Sequence, residues 1–155
     1  MIQTYSGIHN AKGVKLAIIL PRFHESVGLR LLEGSKQAFV QQGGRLSSLT
    51  VVRVPGSFEI PLTAQKLIDT KRYDAIIALG VLLKGETYHF EYVARVLLDG
   101  IRQVMLQNKF PVIFEVLIAD SLELVKKRAG KTAKNNKGFS AVLSALEMIN
   151  LFRSI

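Results

Sequence analysis

A three-layer α/β/α sandwich on a four-stranded parallel sheet is the fold class this sequence predicts, and three observations lead to it. Short apolar runs of strand character alternate with segments of helical periodicity. The links between them are short, as βα and αβ connections in such domains are. One run, residues 73–83, is apolar nearly throughout, which suits a strand covered on both faces. A chain of 155 residues, 48% hydrophobic and 21% charged, is long enough for one domain with its own core. That composition excludes a disordered or collagen-like chain.

Residues 1–12 carry no periodicity and are expected to form a flexible N-terminal tail, leaving 13–155 as the single domain. Residues 14–20 (VKLAIIL) read as a buried strand ended by Pro21. Residues 26–41 place Val27, Leu31, Leu32, Ala38 and Phe39 on one helical face before Gly43-Gly44. Residues 46–54 are β-branched and strand-like. Residues 57–69 read as a helix with Pro61 in its first turn, where a missing N–H costs nothing. Residues 73–83 form the third strand. Residues 89–106 carry a stripe at Val93, Val96, Leu97, Gly100, Ile101 and Val104. Residues 111–118 form the fourth strand, followed by helices over 121–128 and 138–151. The order β-α-β-α-β-α-β-α-α calls for parallel strands with helices on both faces.

The charge balance is less ordinary: 21 Lys and Arg against 12 Asp and Glu give +9. Such a field attracts polyanions and suits phosphorylated small molecules equally. Most basic residues are scattered singly, but Lys126, Lys127, Arg128, Lys131, Lys134 and Lys137 cluster with no acid among them. That cluster is either a solvated helix end and loop or an anion site. A specific nucleic-acid reader is not expected, because no recognition helix or aromatic-rich basic strand accompanies the charge. There is no cysteine, hence no disulfide, thiolate metal site or cysteine nucleophile, in keeping with a reducing cytoplasm. No apolar run reaches the roughly 18–20 residues of a membrane helix, so no membrane association is expected.

In a parallel sheet, ligands bind beyond the carboxyl ends of the strands. Four segments therefore matter. Phe23, after the first strand, either offers its face to a planar ring or packs on the core. After the second, Pro55-Gly56 makes a turn and Ser57 suits a helix N-cap, with Glu59 favourable to the helix dipole. The alternative is a hydroxyl and a carboxylate facing a ligand. After the third, Lys84-Gly85-Glu86-Thr87 leads into a helix whose first N–H groups form a ready anion site, without the spacing of a P-loop. His89 lies four residues before Val93, on the buried stripe, and is either a packed core residue or an acid/base group. No second His or carboxylate stands at metal-ligand spacing, so no metal is expected. After the fourth strand, Asp120-Ser121 reads as an N-cap pair ahead of the basic cluster.

Taken together, these segments resemble the 6,7-dimethyl-8-ribityllumazine synthase family. The resemblance rests on Arg22-Phe23, on VPGSFEIP over 54–61 and on ALGVLLKGETYHF over 78–90. It continues through PVIF over 111–114, Arg128-Ala129-Gly130 and Asn136-Lys137-Gly138. It implies a flavodoxin-like sheet and a condensation of 5-amino-6-(D-ribitylamino)uracil with 3,4-dihydroxy-2-butanone 4-phosphate. It implies no cofactor. Carried over by position, Phe23 stacks on the pyrimidine, while Ser57, Phe58 and Glu59 line the ring and ribityl chain. Val81, Leu82 and Leu83 offer backbone contacts, Glu86 and Thr87 receive phosphate, and His89 shuttles protons. The residues matching Phe114 and Arg128 come from a neighbouring subunit, which implies a homopentamer; in the family, pentamers can close into icosahedral sixty-subunit shells.

Three departures from the family pattern stand out. His24 replaces a common Asn, Glu115 replaces a common glycine, and the loop over 131–136 is one residue longer than the compact version. A flavodoxin-like module that holds flavin or another ribityl ligand without catalysis is the alternative reading.

Overall fold

The structure, a computed structural model, describes all of Met1–Ile155 and bears out the alternation read from the sequence. Its elements are β1 (Leu16–Pro21), α1 (Glu25–Gln41), β2 (Leu49–Val54), α2 (Ile60–Asp69) and β3 (Ala75–Leu83), then α3 (His89–Asn108), β4 (Val112–Ala119), α4 (Leu122–Arg128) and α5 (Lys137–Ser154). The strands pair in the order β2-β1-β3-β4, all parallel. β1 sits inside the sheet, and all six of its residues are buried. Its side chains alternate between two cores, because successive residues of a strand point to opposite faces. Leu16, Ile18 and Leu20 pack under α1 and α5, whereas Ala17 and Ile19 pack under α2 and α3. A strand with no polar face is the physical meaning of the unbroken apolar runs.

Handedness explains which helix covers which face. A parallel crossover is right-handed in nearly every protein. The step from β1 to β2 runs one way along the sheet and puts α1 on one face. The steps from β2 to β3 and β3 to β4 run the other way and put α2 and α3 on the opposite face.

The contact between α1 and α5 is unusually close at two glycines. A Cβ on Gly34 would lie 2.2 Å from Asn136 Oδ1, and one on Gly138 would lie 2.0 Å from the Leu31 carbonyl oxygen. Ser35 Oγ bridges the two helices, donating to the Leu31 and Gly138 carbonyls at 3.0 Å each. The buried Asn136 caps α5 by accepting from the Phe139 N–H, and it donates to the carbonyls of Arg30 and Gly130.

Residues 1–10 contain no helix or strand. Asn150 Nδ2 nevertheless donates to the Ile8 and Asn10 carbonyls, and Ala11 is buried against the core. Two local expectations are corrected. Residues 46–48 form a 3₁₀ turn instead of the start of a strand, since the Ser48 N–H donates back to Arg45 at 2.8 Å and two serines favour such a turn. Val96 leaves the buried stripe of α3 and is 46% exposed, because Leu97, Ile101 and Val104 define the stripe and Val96 lies about 100° off it. No helix is long and apolar enough to cross a membrane.

Gly138→Ala forces a methyl group into backbone atoms that cannot step aside. It is expected to cost about 3 kcal/mol, the upper end for overpacking. Gly85→Ala, where a Cβ meets nothing within 4 Å, should be close to neutral. Urea unfolding of the two variants tests the contrast.

Candidate active site

Three loops at the carboxyl edge of the sheet build one cleft of about 450 Å³, within the range of small-molecule sites. The first follows β1. The Arg22 N–H donates to the Val54 carbonyl at 2.9 Å and holds this loop against the end of β2. Beyond that anchor the chain turns outward at Phe23, which is 70% exposed. His24 follows with a left-handed backbone, and its carbonyl accepts from the Val27 and Gly28 N–H groups to start α1. Both rings line the cleft.

The second loop corrects an expectation about capping. Ser57 does not cap the helix after β2. The Pro-Gly turn leaves Gly56 extended at the N-cap, and the Glu59 carboxylate accepts from the Gly56 N–H at 2.8 Å. A carboxylate beside free N–H groups at a helix start is favourable. Ser57 is consequently buried against the cleft wall, with the exposed Phe58 beside it.

The third loop joins β3 to α3. Val81, Leu82 and Leu83 form the cleft floor, and Gly85 and Thr87 its far wall. The Lys84 N–H is taken by the Ala119 carbonyl, whereas those of Gly85, Glu86, Thr87 and Tyr88 donate to no protein group. Four free donors at the start of a 20-residue helix form an anion-accepting end.

His89 is the first residue of α3, exposed and facing the cleft, not buried on the stripe. Its side chain leans toward the helix N-terminus, as all helical side chains do, and no earlier turn exists to cover it. Phe90 and Val93 also line the cleft. Neither was singled out as a site residue from the sequence, although Val93, four residues on from His89, shares its helix face.

Three of the singled-out residues lie outside this cleft. Glu86 is exposed in the third loop and does not line it. Phe114 and Arg128 line a separate concavity of about 440 Å³ along β4, together with Glu115, Asp120 and Lys137. β4 is an edge strand, so this concavity opens away from the cleft. Phe114 packs toward α3, on the face opposite Glu115 and α5. Arg128 lies exposed at the end of α4 and donates to the Leu124 carbonyl at 3.1 Å. Among the 14 residues lining the cleft there is no Lys or Arg, whereas Arg128 and Lys137 line the second concavity. No three His, Cys, Asp or Glu side chains converge as a metal site would require.

This is an all-parallel α/β domain with an aromatic wall, an imidazole and a free helix N-terminus at its strand ends, the chemical features that a planar ring and an anion call for. The family model for 6,7-dimethyl-8-ribityllumazine synthase matches residues 13–153. The 6,7-dimethyl-8-ribityllumazine synthase of Aquifex aeolicus (strain VF5) is 44% identical over 154 residues, covering 99% of each chain. The chain belongs to the 6,7-dimethyl-8-ribityllumazine synthase family.

Burial pushes the Glu115 carboxyl above its ordinary value, opposed by the Lys137 ammonium nearby. The folded protein therefore holds this proton more tightly than the unfolded chain does. The resulting stability is fully present below the ordinary value of 4.5 and is lost as pH rises through the raised value. Glu115→Gln should become progressively more stable than the unchanged protein as pH rises from 4.5 toward neutrality. Urea unfolding at stepped pH checks this, and a pH-independent difference would sink it.

Proposed function

We propose that the protein is a transferase of riboflavin biosynthesis. It condenses 5-amino-6-(D-ribitylamino)uracil with 3,4-dihydroxy-2-butanone 4-phosphate to 6,7-dimethyl-8-ribityllumazine, releasing phosphate and water. Full-length membership of the family carries this reading, and the chemistry of the cleft suits it.

The pyrimidine stacks on Phe23, with Ser57, Phe58 and Glu59 along the ring and ribityl chain and the backbone of Val81, Leu82 and Leu83 at its edge. The phosphate approaches the free N–H groups at Glu86 and Thr87, where the helix dipole favours negative charge. The substrate amine attacks the carbonyl carbon, and water leaves as the imine forms. A proton is then lost from the adjacent carbon, and phosphate departs with the electron pair of its C–O bond. The enol so formed takes a proton at its terminal carbon to become a ketone, and the second nitrogen closes on that new carbonyl with loss of a second water. Each step moves a proton near neutral pH, which an imidazole does well, and His89 is the imidazole beside the phosphate-receiving loop.

Departing phosphate also needs positive charge that strengthens as negative charge develops. The cleft has none of its own, while Arg128 and Lys137 stand ready along β4. Family membership supports reading the protein as a homopentamer with each cleft completed by Phe114 and Arg128 of a neighbouring copy, and the lack of cysteine suits the cytoplasm. Exposed apolar residues along α2 and α3, including Leu62, Tyr88, Tyr92, Leu98 and Leu106, support an interface on that side.

The deciding experiment mixes metal-free protein with the two substrates and follows lumazine absorbance and fluorescence. Product well above the protein-free background is expected. Background-level formation by a folded oligomer that binds flavin tightly would leave a non-catalytic ribityl-ligand module instead. Amine and ketone also condense unaided in water, so much of the acceleration comes from holding them together. His89→Ala is accordingly expected to lower kcat by only about tenfold, below the range of 10²–10⁴ for an indispensable acid/base. Arg128→Met should raise KM for the butanone phosphate by about 10- to 100-fold, as loss of a charge-assisted contact does, and leave KM for the uracil near its original value.

A further inference from the structure

Three residues other than glycine have a left-handed backbone: His24, Lys71 and Lys109. Lys71 and Lys109 follow the last turns of α2 and α3, where a left-handed residue routinely ends a helix. His24 has no such reason. It stands before α1 at φ 54° and ψ 41°, and its side chain caps nothing. Backbone of this kind persists where the surroundings require it. At His24 it lets the carbonyl start α1 while the imidazole turns into the cleft. There the imidazole meets Phe23 edge to face, with ring centroids 5.3 Å apart and planes at 84°. Phe23 is 70% exposed and has no other aromatic neighbour, so little else restrains its rotamer. An exposed side chain free of restraint flips between rotamers on the picosecond to nanosecond scale.

We propose that His24 is a positioning residue, whose ring holds Phe23 in the orientation that stacks on a planar heterocyclic substrate. This rests on the proposed reading of the cleft as a pyrimidine site. The edge-to-face pair fixes the platform before the ligand arrives, so less side-chain freedom is lost on binding. The role belongs to binding of the ring and not to the phosphate end of the reaction.

The test uses His24→Gly, which sits at a left-handed φ without strain, together with Phe23→Ala and the double variant. Binding of the ribitylaminouracil alone is titrated by absorbance, and KM is measured for each substrate. His24→Gly should weaken uracil binding and raise its KM by about three- to tenfold, the range for one aromatic pair. KM for the butanone phosphate and kcat should stay within about twofold. In the Phe23→Ala background, His24→Gly should add nothing further, because its effect runs through that ring. The same loss in both backgrounds, or unchanged uracil binding in the single variant, overturns the proposal. Turnover failing in the unchanged protein while the uracil still binds removes the proposed reaction but leaves this inference to be read from the titration. If the unchanged protein neither turns over nor binds the uracil, both fall.

Discussion

β1 pairs with β2 on one side and β3 on the other, and that double pairing fixes the direction of every later connection. Chain leaving β1 must cross to one face, and chain leaving β3 must cross to the other, because both crossovers are right-handed. The loops after these two neighbouring strands therefore diverge, and the gap between them cannot be filled by either helix. The cleft opens there. Phe23 and His24 come from one side of the divergence, and Gly85, Thr87 and His89 from the other. Site residues more than 60 positions apart meet because of strand order, with no direct contact needed to bring them together.

The far layer depends on close approach. Gly34 and Gly138 let α1 and α5 come within backbone contact, and Asn136 fills the corner between them with all its polar atoms paired. A buried amide left unpaired would cost about 1–3 kcal/mol, so this corner admits few other arrangements. One consequence reaches the site. The Asn136 bond to the Gly130 carbonyl, together with the bridge between Ala129 and Asn136, closes the loop over 131–135 onto the end of α4. The loop carries an exposed 3₁₀ turn at Ala133–Asn135, and Arg128 and Lys137 line a single concavity.

The fold was legible because burial on both faces leaves a plain signature in β1 and β3. The candidate site was legible in part, and each shortfall has a physical reason. Ser57 looked like a cap because hydroxyls commonly cap helices, yet Glu59 reached back to Gly56 first. His89 stood open between core and cleft because helical periodicity was extended to a residue with no turn before it, and it faces the cleft. Phe114 lies within β4, and Arg128 follows that strand at the end of α4, much as the other site residues follow their strands. Only the sheet order reveals that β4 is the far edge, with β3 between it and the switch at β1. The left-handed turn at His24 has no signature beyond the residue type, since several residues tolerate that conformation as single exceptions.

The separation of charge from cleft bears on how the reaction is organised. A cation in a cleft open to water holds a phosphate less strongly than one in a closed site, because the effective dielectric is higher. On the shared-site reading, Arg128 meets the free N–H groups of the β3–α3 loop only when a second copy closes over it. The same closure excludes water, and a charge-assisted contact gains strength as the local dielectric falls. Phosphate binding and subunit assembly would then draw on one interface. An isolated subunit would retain Phe23, Phe58 and His89 but lack the neighbour's Phe114 and the guanidinium that steadies the leaving group. Its affinity for the uracil should therefore outlast its affinity for the butanone phosphate as the oligomer is diluted. That ordering separates a site completed by a partner from one that a single chain holds entire.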